Sequence, residues 1–362
     1  MGGLLLAPPA TAAEGDVLTA TERPTISGEP RFREPLVAGR GGWGRSPSEV
    51  SVAYQWLRAG EQIPGATGKR YRPSLEDLGN RLSVVVTATA TDGASGTATS
   101  RRTTRVRRAE NRATRAPRVA GTTRYGRVLR AGQGRWEHRP ARVRITWYRA
   151  GGVEVGSGRR YRLQPADVGA TLFVVARATG PGLVPATKRS ERTPRVRHRV
   201  GVSRSVTYHV ETRGDVSASV RRFKRLAQQT YDDARGWRSA GVRFTRVRSG
   251  GDFTLVLAEA STLTDFSSEC STQWSCRVGR YVVINQTRWR HASPAWNEAD
   301  GSLRDYRHMV VNHETGHWLG QGHSTCPGSG QPAPVMMQQS KDLGGCTFNP
   351  WPVAGEISRV AG

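Results

Sequence analysis

Two stretches of this sequence repeat each other, and the duplication constrains the fold more than any other feature. One copy contains, from Tyr54, YQWLRAGEQIPGATGKRYRPSLEDLGNRLSVVVTATA; the other contains, from Ile145, ITWYRAGGVEVGSGRRYRLQPADVGATLFVVARATG. An offset that stays at 90 or 91 residues predicts two copies of one small domain. The matched positions are Trp56 and Trp147, Tyr71 and Tyr161, Asp77 and Asp167, Gly79 and Gly169, and Leu82 and Leu172.

Each copy has the sequence pattern of a β-sandwich. Polar and apolar residues alternate in short runs such as 82–86 and 143–147, and glycine and proline separate these runs as turns. Trp56 and Trp147 fit the tryptophan that fills many sandwich cores. The copies resemble the bacterial immunoglobulin-like repeats found in tandem on extracellular enzymes, and the second departs from that pattern at residues 151–157. Because neither copy holds a catalytic constellation, a spacer or surface-binding role is expected.

The charge of the chain is strongly positive and unevenly distributed. The net charge is +26, of which residues 1–199 carry +21 and residues 200–362 carry +5. Such a basic surface favours an anionic partner such as a cell-wall polymer. Nucleic acid is the weaker alternative, because no zinc finger, helix-turn-helix or aromatic RNA-binding pattern accompanies the charge. A genomic base composition that enriches arginine is the alternative without functional meaning.

Two features, a signal-like N-terminus and the use of cysteine, indicate a chain that works outside the cell, secreted or at the cell surface. Residues 1–22 resemble the tail of a secretory signal, with a disordered N-terminus as the alternative. No apolar run reaches the length of about eighteen residues that a membrane-spanning helix requires. An even number of cysteines in the last third predicts two disulfides and an oxidising compartment; they are Cys270, Cys276, Cys326 and Cys346.

The sequence from residue 199 onward mixes helix and strand patterns. Apolar spacing predicts a helix over residues 216–237. A second helix is expected to begin near Ser302, because Ser302 and Asp305 have the spacing of a capping box. Alternating patterns predict strands at residues 205–210, 242–247, 253–257 and 280–284.

The segment VNHETGHWLGQGH, residues 311–323, has the chemistry of a catalytic metal site. His313 and His317 are four residues apart, so both imidazoles project from one helix face and can bind one Zn²⁺. Glu314 is then placed to act as general base on a zinc-activated water. Gly320 allows the helix to end sharply, and the following turn returns His323 as a third ligand. Three neutral histidines leave one coordination position open, as catalytic sites do.

The span from His313 to His323 matches the H-E-x-x-H-x-x-G-x-x-H motif of the metzincin clan of zinc peptidases in full. The resemblance extends over roughly residues 203–355. It implies a methionine-containing turn beneath the metal, for which Met336 is the first choice and Met337 the second. Within the clan, the chain looks like a metzincin-like domain family of high-GC Gram-positive bacteria that has no assigned substrate.

Some positions depart from other metzincins or play no part in the motif. Certain metzincins place a tyrosine ligand two residues after the methionine, where this chain has Gln338, or Gln339 for the second choice. Three protein ligands and a water are therefore expected. Ser324 follows the third histidine, as in matrix-type enzymes, and carries no conclusion about substrate. His291 and His308 are predicted to face solvent.

The four cysteines are expected to pair by proximity around this site. A bond between Cys326 and Cys346 would hold the methionine turn and stabilise the fold by about 3 kcal/mol. A bond between Cys270 and Cys276 would fix a small loop near the sheet edge. In metzincins an extended peptide adds to that edge as a further strand, so residues 270–280 are expected to line substrate subsites.

The sequence thus predicts a multidomain chain: two all-β immunoglobulin-like sandwiches followed by an α/β (α+β) metzincin-like catalytic domain. The expected function is secreted zinc-dependent endopeptidase activity on peptide or protein substrates. The alternative is a cell-surface or wall-binding adhesion protein whose C-terminal domain holds zinc without turnover. The predicted parts are residues 1–22 as signal remnant or disordered segment, 23–108 and 117–198 as the repeats, 109–116 as a basic linker, and 199–362 as the peptidase domain.

Overall fold

The computed structural model describes residues 17–362. Residues 1–16, which hold most of the predicted signal segment, lie outside the described residues. In the described part, every helix is too short or too polar to span a bilayer. This part of the chain folds as two β-sandwiches followed by a domain of mixed helix and strand, so the predicted order of all-β and mixed parts is confirmed.

The first sandwich packs a four-stranded sheet against a three-stranded sheet. Its strands are β1 (Ile26–Ser27), β2 (Leu36–Ala38), β3 (Val50–Arg58), β4 (Glu61–Gln62), β5 (Arg70–Tyr71), β6 (Leu82–Ala90) and β7 (Ser95–Thr99). The sheets have the orders β4-β3-β6-β7 and β1-β2-β5. Trp56, on β3, is fully buried in the core between them, as the sequence predicted.

The second sandwich repeats this arrangement. Its strands are β8 (Ala113–Arg115), β9 (Val119–Ala120), β10 (Val128–Ala131), β11 (Arg135–Trp136), β12 (Arg142–Arg149), β13 (Val153–Ser157), β14 (Arg160–Arg162), β15 (Leu172–Thr179) and β16 (Ala186–Arg189). The main sheet has the order β13-β12-β15-β16, opposite a sheet of order β14-β10-β9. Trp147, on β12, is fully buried in the core, like its counterpart in the first sandwich.

A buried aspartate explains why several polar positions recur in both copies. Asp77 has no exposed surface and accepts hydrogen bonds from Arg58 Nε at 2.7 Å and the Tyr71 hydroxyl at 2.6 Å. A buried carboxylate needs such donors, because burial without them is costly. In the second sandwich Asp167 accepts equivalent bonds from Arg149 Nε at 3.1 Å and the Tyr161 hydroxyl at 2.8 Å.

Both sandwiches begin earlier in the sequence than predicted. Leu18 is buried and donates its N–H to the Ser95 carbonyl at 2.9 Å, so residues 17–22 belong to the first sandwich rather than to a signal remnant. Residues 109–116 were expected to form a basic linker, yet they contain β8, which pairs with β11 of the second sandwich. Each segment adds only a short strand or bridge at the edge of a sheet and therefore needs few apolar residues. Its sequence shows no strong apolar pattern from which the pairing could be predicted.

The third domain is built on a five-stranded sheet. Its elements are β17 (Arg204–Arg213), α1 (Val220–Asp232), β18 (Val242–Arg246), β19 (Phe253–Ala258), β20 (Cys276–Val278), β21 (Tyr281–Asn285), α2 (Gln286–His291), α3 (Pro294–Glu298), α4 (Leu303–Trp318) and α5 (Ala354–Ala361). The sheet order is β18-β17-β19-β21-β20. The first three pairings are parallel, whereas β20 is an antiparallel edge strand.

Helix α1 is shorter than the helix predicted over residues 216–237. The Ser219 hydroxyl accepts the Arg222 N–H at 3.3 Å and caps the first turn. At the other end Asp233 takes an extended conformation with φ −65° and ψ 132°, and a separate 3₁₀ turn begins at Trp237. The apolar residues keep a helical spacing beyond Asp233, although the backbone leaves the helix there. Spacing alone therefore did not predict the end of α1.

Helix α4 passes through the core of the third domain and packs against α1, α2 and the strands β20 and β21. It is buried from Tyr306 through Gly316, apart from Arg307. A helix enclosed in this way holds its side chains in fixed directions, since close-packed neighbours leave few rotamers. Functional groups on α4 are consequently preorganised.

Candidate metal centre

Helix α4 presents two histidines to one point at the edge of the core. The helix begins where the sequence predicted, with the Ser302 hydroxyl accepting the Asp305 N–H at 3.0 Å. One turn separates His313 and His317, and their ring centroids are 4.7 Å apart. Their Nε2 atoms lie 3.1 Å from each other.

The third histidine arrives from the loop that follows α4. Gly320 has φ +89°, a left-handed conformation that costs other residues energy and that ends the helix. The chain then turns back, and the Ser324 N–H donates to the Met336 carbonyl at 3.1 Å. His323 Nε2 consequently lies 3.1 Å from His317 Nε2. The structure thus brings together all three of the histidines proposed as metal ligands.

The hydrogen bonds of two of the rings, His313 and His317, direct their Nε2 lone pairs toward the point that His323 Nε2 also faces. His313 Nδ1 donates to the Val335 carbonyl and His317 Nδ1 donates to the Gln321 carbonyl, each at 2.8 Å. A carbonyl only accepts, so Nδ1 carries the proton in both rings and each Nε2 is an unprotonated acceptor. Facing acceptors repel unless a cation lies between them. Nitrogens on a tetrahedral zinc lie roughly 3.3 Å apart, so this triad fits Zn²⁺.

Burial keeps these histidines in the form that binds a metal. Burial lowers the pKa of His313 to about 3, with His317 and His323 adding a smaller effect. The pKa values of His317 and His323 are also lowered, chiefly by burial. All three rings are therefore neutral near pH 7, and a neutral imidazole is the ligand that divalent metals require.

Met336, rather than Met337, packs beneath the triad. Met336 is fully buried in the core of the third domain, and its carbonyl is the acceptor for Ser324. A Cβ atom at Gly316 would lie 2.3 Å from the Met336 sulfur, so only glycine permits this packing against α4. Met337 packs instead in a separate small cluster with Ala333 and the Cys326–Cys346 disulfide.

A buried carboxylate supports the methionine turn, and sequence reasoning missed it. Glu356, on α5, is 1% exposed and accepts the Met336 N–H at 2.8 Å and the Val335 N–H at 3.1 Å. It also accepts the Val353 N–H at 2.8 Å. Because the Val335 carbonyl holds the His313 ring, Glu356 positions a candidate metal ligand through one peptide group. Its place at the third residue of a helix was the available signal.

Glu314 lies beside the triad in the wall of a cleft of about 570 Å³. The side chain is 6% exposed, and burial raises its pKa to about 8, with a smaller opposing effect from Arg277. No salt bridge involves Glu314 in the part of the chain that the structure describes. A carboxyl whose pKa is close to neutral, next to a candidate metal triad, is suited to proton transfer.

The cleft runs between the edge strand β20 and the segment that follows the methionine turn. Arg277, on β20, donates a hydrogen bond to the His317 carbonyl at 2.7 Å and thereby connects the edge strand to α4. Gln338 lines the opposite side. Gln339 is fully buried and donates to the Pro334 and Asn349 carbonyls. Within residues 17–362, the three histidines are the sole group with the spacing of a metal site.

Both expected disulfides are present in the structure. Cys270, in the loop before β20, pairs with Cys276, the first residue of β20, and this segment lines the cleft as predicted. Cys326 pairs with Cys346 and brackets the methionine turn. Two covalent bonds thus hold the two walls of one cleft.

The prediction that His308 faces solvent is wrong. His308 is 5% exposed, and its Nδ1 lies 2.8 Å from the Thr230 hydroxyl of α1. Burial lowers its pKa to about 4. The residue lies on the α1 side of α4, away from the triad, because five residues along a helix turn the side chain to another face. His291 is exposed, as predicted.

Comparison with protein families gives one match. The model of a family described as "Protein of unknown function (DUF3152)" matches residues 180–348, which include the three histidines, Glu314 and Met336. The chain is similar to this family over that range, which is less than half of its length. No curated protein matches the sequence.

Solved structures match the chain at low similarity. Three N-terminal domains of the highly immunogenic outer capsid protein of bacteriophage RB49 are 14% identical over 55% of this chain and 66% of that chain, with a TM-score of 0.21. A two-domain fibronectin type III segment of chicken tenascin is 15% identical over 48% of this chain and 95% of that chain, with a TM-score of 0.22. Scores this low support no argument about fold or function.

Proposed function

We propose that this protein is a secreted zinc-dependent endopeptidase of the metzincin type. The observation that carries the proposal is the convergence of the Nε2 atoms of three histidines beside a buried glutamate in a cleft wall. Supporting features are the antiparallel edge strand β20 and the turn of Met336 beneath the triad. Both are features that the resemblance to the metzincin clan implies.

His313, His317 and His323 would hold the metal through Nε2. When bound, zinc makes a water molecule acidic near neutral pH and polarises a peptide carbonyl. The protein fixes the directions of His313 and His317 through their Nδ1 donors. With three protein ligands, one coordination position stays open to solvent and substrate.

Glu314 is the proposed general base. Its carboxyl would be anionic beside a divalent cation, because a nearby opposite charge lowers the pKa that burial has raised. In this form it accepts a proton from the attacking water and then donates it to the leaving amine. Burial keeps the carboxyl poorly solvated, which favours proton transfer close to neutral pH.

The free edge of β20 would align the substrate. β20 pairs with β21 on one side, and its residues line the cleft on the other. An extended peptide can add to such an edge by backbone hydrogen bonds. The Cys270–Cys276 bond and the Arg277 bond to His317 keep this edge at a fixed distance from the metal helix.

Extracellular location is part of the proposal. Two disulfides are typical of proteins in oxidising compartments, and all four cysteines of the chain are paired. The competing function is an adhesion protein whose third domain holds zinc without turnover. An intact, buried Glu314 favours the peptidase, since a site that only holds a metal needs no base.

Glu314→Gln tests this function while keeping the shape of the side chain. We expect the wild-type protein to bind one zinc ion and to cleave a peptide library in a chelator-sensitive way. Glu314→Gln should bind zinc equally well and lose at least about a hundredfold in kcat/KM, the usual range for removal of a general base. Glu298→Gln, at an exposed position on α3, is the matched control. Stoichiometric zinc binding without chelator-sensitive cleavage would favour the adhesion protein instead.

A further inference from the structure

The second sandwich carries most of the positive charge of the two repeats. Residues 109–199 contain 21 basic and 5 acidic residues, a net charge of +16. Residues 17–108 contain 15 basic and 8 acidic residues, a net charge of +7. Because the two copies share one fold, the difference in net charge between them does not come from a difference in fold.

Part of the excess charge lies on one face of the sheet β13-β12-β15-β16. Strand pairing places Arg144 directly opposite Arg177. Arg142 lies two residues before Arg144 on β12, and Arg189 lies opposite Val175 on the next strand, β16. All four side chains are exposed and point to the same side of the sheet. We call this surface, with Tyr148 and Phe173, the arginine face.

Nothing acidic neutralises these four arginines in the described residues. None of them forms a salt bridge within residues 17–362. Like charges directly opposite on a sheet destabilise it. Glu154, opposite Tyr148 on β13, is the acidic residue nearest in register. A surface that keeps such opposed charges is stabilised when an anion binds to it.

The first sandwich has uncharged residues at the same registers. Ala53 and Thr87 are paired where the second sandwich pairs Arg144 with Arg177. Ser51 occupies the place of Arg142, and Thr99 lies opposite Val85 in the place of Arg189. Leu57 and Ser83 replace the aromatic pair Tyr148 and Phe173. A composition bias acts on the whole chain, so it does not explain arginine at four aligned positions in one copy and at none in the other.

The aromatic residues of the arginine face are already occupied. Tyr148 and Phe173 stack with ring centroids 5.4 Å apart, and the Arg189 guanidinium lies 4.1 Å from the Phe173 ring centroid. Phe173 is 7% exposed. Bound bases in single-stranded nucleic acid need open ring faces on which to stack. The stack instead fixes one guanidinium in place for an anionic group.

The spacing of the arginines fits a linear polymer. Arg144, Arg177 and Arg189 lie on three adjacent strands, and adjacent strands are about 4.8 Å apart. Arg142 and Arg144 are separated by roughly 7 Å along β12. Arg189 lies opposite Val175, two residues from Arg177, so the four positions follow a diagonal across one sheet face, as a single extended polymer chain can do. Guanidinium groups bind carboxylates and phosphates with paired hydrogen bonds.

We propose that the arginine face of the second sandwich binds a linear anionic polysaccharide and that the first sandwich does not. The paired disulfides of the third domain indicate a compartment in which such polymers are accessible. The second sandwich thereby attaches the chain to an anionic matrix. The first sandwich serves as a spacer of the same fold.

The test replaces each arginine by the residue of the first sandwich at the same register. The variant carries Arg142→Ser, Arg144→Ala, Arg177→Thr and Arg189→Thr in the full chain. Polygalacturonate is the probe, neutral dextran is the negative control, and a chelator is present so that the result does not depend on peptidase activity. We expect binding to polygalacturonate at 0.1 M salt to fall at least about tenfold, with a shallower salt dependence.

A control variant removes the same charge from other surfaces. Two further pairs of exposed, opposed arginines lie outside the face: Arg115 with Arg135, and Arg130 with Arg160. Replacing these four by serine should weaken binding less than about threefold. Equal losses in the two variants would overturn the proposal in favour of net charge alone. Tighter binding of single-stranded oligothymidylate than of polygalacturonate would overturn it in favour of nucleic acid.

A gain of function completes the test. In the variant that lacks the four arginines of the second sandwich, arginines are introduced at the same registers of the first sandwich. The substitutions are Ser51→Arg, Ala53→Arg, Thr87→Arg and Thr99→Arg. Thermal unfolding of each variant shows that it is folded. We expect binding to return to within about threefold of the wild-type affinity. Failure to bind polygalacturonate in the folded wild-type protein would overturn the proposal outright.

Discussion

Glu356 accepts the backbone N–H of Met336 at 2.8 Å, so a carboxylate on the last helix of the third domain fixes the turn beneath the metal triad. The same carboxylate accepts the Val335 N–H, and the Val335 carbonyl accepts the proton of His313 Nδ1. One side chain thus connects α5 to a proposed metal ligand on α4. The arrangement is a support for the site rather than part of its chemistry.

Glu356→Gln should weaken zinc binding. A glutamine offers one acceptor oxygen to three N–H donors, two of them buried, and turns an amide donor toward them. We therefore expect the free energy of unfolding to fall by about 2–4 kcal/mol. Zinc affinity, measured by competition with a chromophoric chelator, should fall about tenfold or more. Glu298→Gln should change neither quantity. Unchanged zinc affinity in a destabilised Glu356→Gln protein would show that the residue supports the fold alone.

Gly316→Ala should disturb the packing of α4 on the methionine turn. The added methyl group would lie 2.3 Å from the Met336 sulfur and 2.8 Å from the Trp237 ring. Overpacking of this kind costs about 1–3 kcal/mol in the free energy of unfolding. Gly322→Ala is the control, because a Cβ atom there has no neighbour within 4 Å and the backbone is not left-handed. Denaturant titrations of both variants decide the matter; equal stability would refute the packing argument.

The two disulfides should contribute differently to stability. Cys326 and Cys346 close a loop of 20 residues, whereas Cys270 and Cys276 close one of 6. Loop-closure entropy then predicts losses of about 3 kcal/mol for Cys326→Ser with Cys346→Ser and about 2 kcal/mol for Cys270→Ser with Cys276→Ser. The variant without the Cys326–Cys346 bond should also bind zinc more weakly, because that bond brackets Met336. A reversed order of stability would contradict the loop-length reasoning.

His308 should make the metal-free third domain less stable in mild acid. Burial lowers its folded pKa to about 4, against a value of about 6.5 in the unfolded chain. Its contribution is therefore complete above pH 6.5 and is lost as the pH falls toward 4, by up to about 3 kcal/mol. His308→Gln should flatten the pH dependence of the unfolding free energy across this window, and His291→Gln should not. Parallel curves for wild type and His308→Gln would exclude this role.

The histidine triad, the buried tryptophans of both sandwiches and the start of α4 could all be predicted from the sequence. Each of these features depends on local spacing along the chain. Four-residue spacing on a helix requires no knowledge of the rest of the fold, and the Ser302 cap lies within one turn of its partner. The role of Glu356 was not predicted, because an acidic residue in the first turn of a short helix is usually exposed. Its partners, Val335 and Met336, are about twenty residues away in sequence.

Other features depend on strand register, which composition does not reveal. Residues 17–22 and 109–116 have little apolar pattern, and their pairing partners lie in distant strands. The opposition of Arg144 and Arg177 is likewise visible only when β12 and β15 are aligned. His308 was assigned to solvent because its polar side chain does not show that α1 covers it. In each case a tertiary neighbour decided the outcome.

The position of Glu356 has a consequence for biosynthesis. Ribosomes deliver residues in order, and all three histidines emerge before residue 356. A nascent or prematurely released chain can therefore contain the three histidines and Glu314 while lacking the carboxylate that orders the turn below them. Assembly of the centre is delayed until synthesis has passed α5. For the secreted hydrolase that we propose, this delay would separate translation from activity in time.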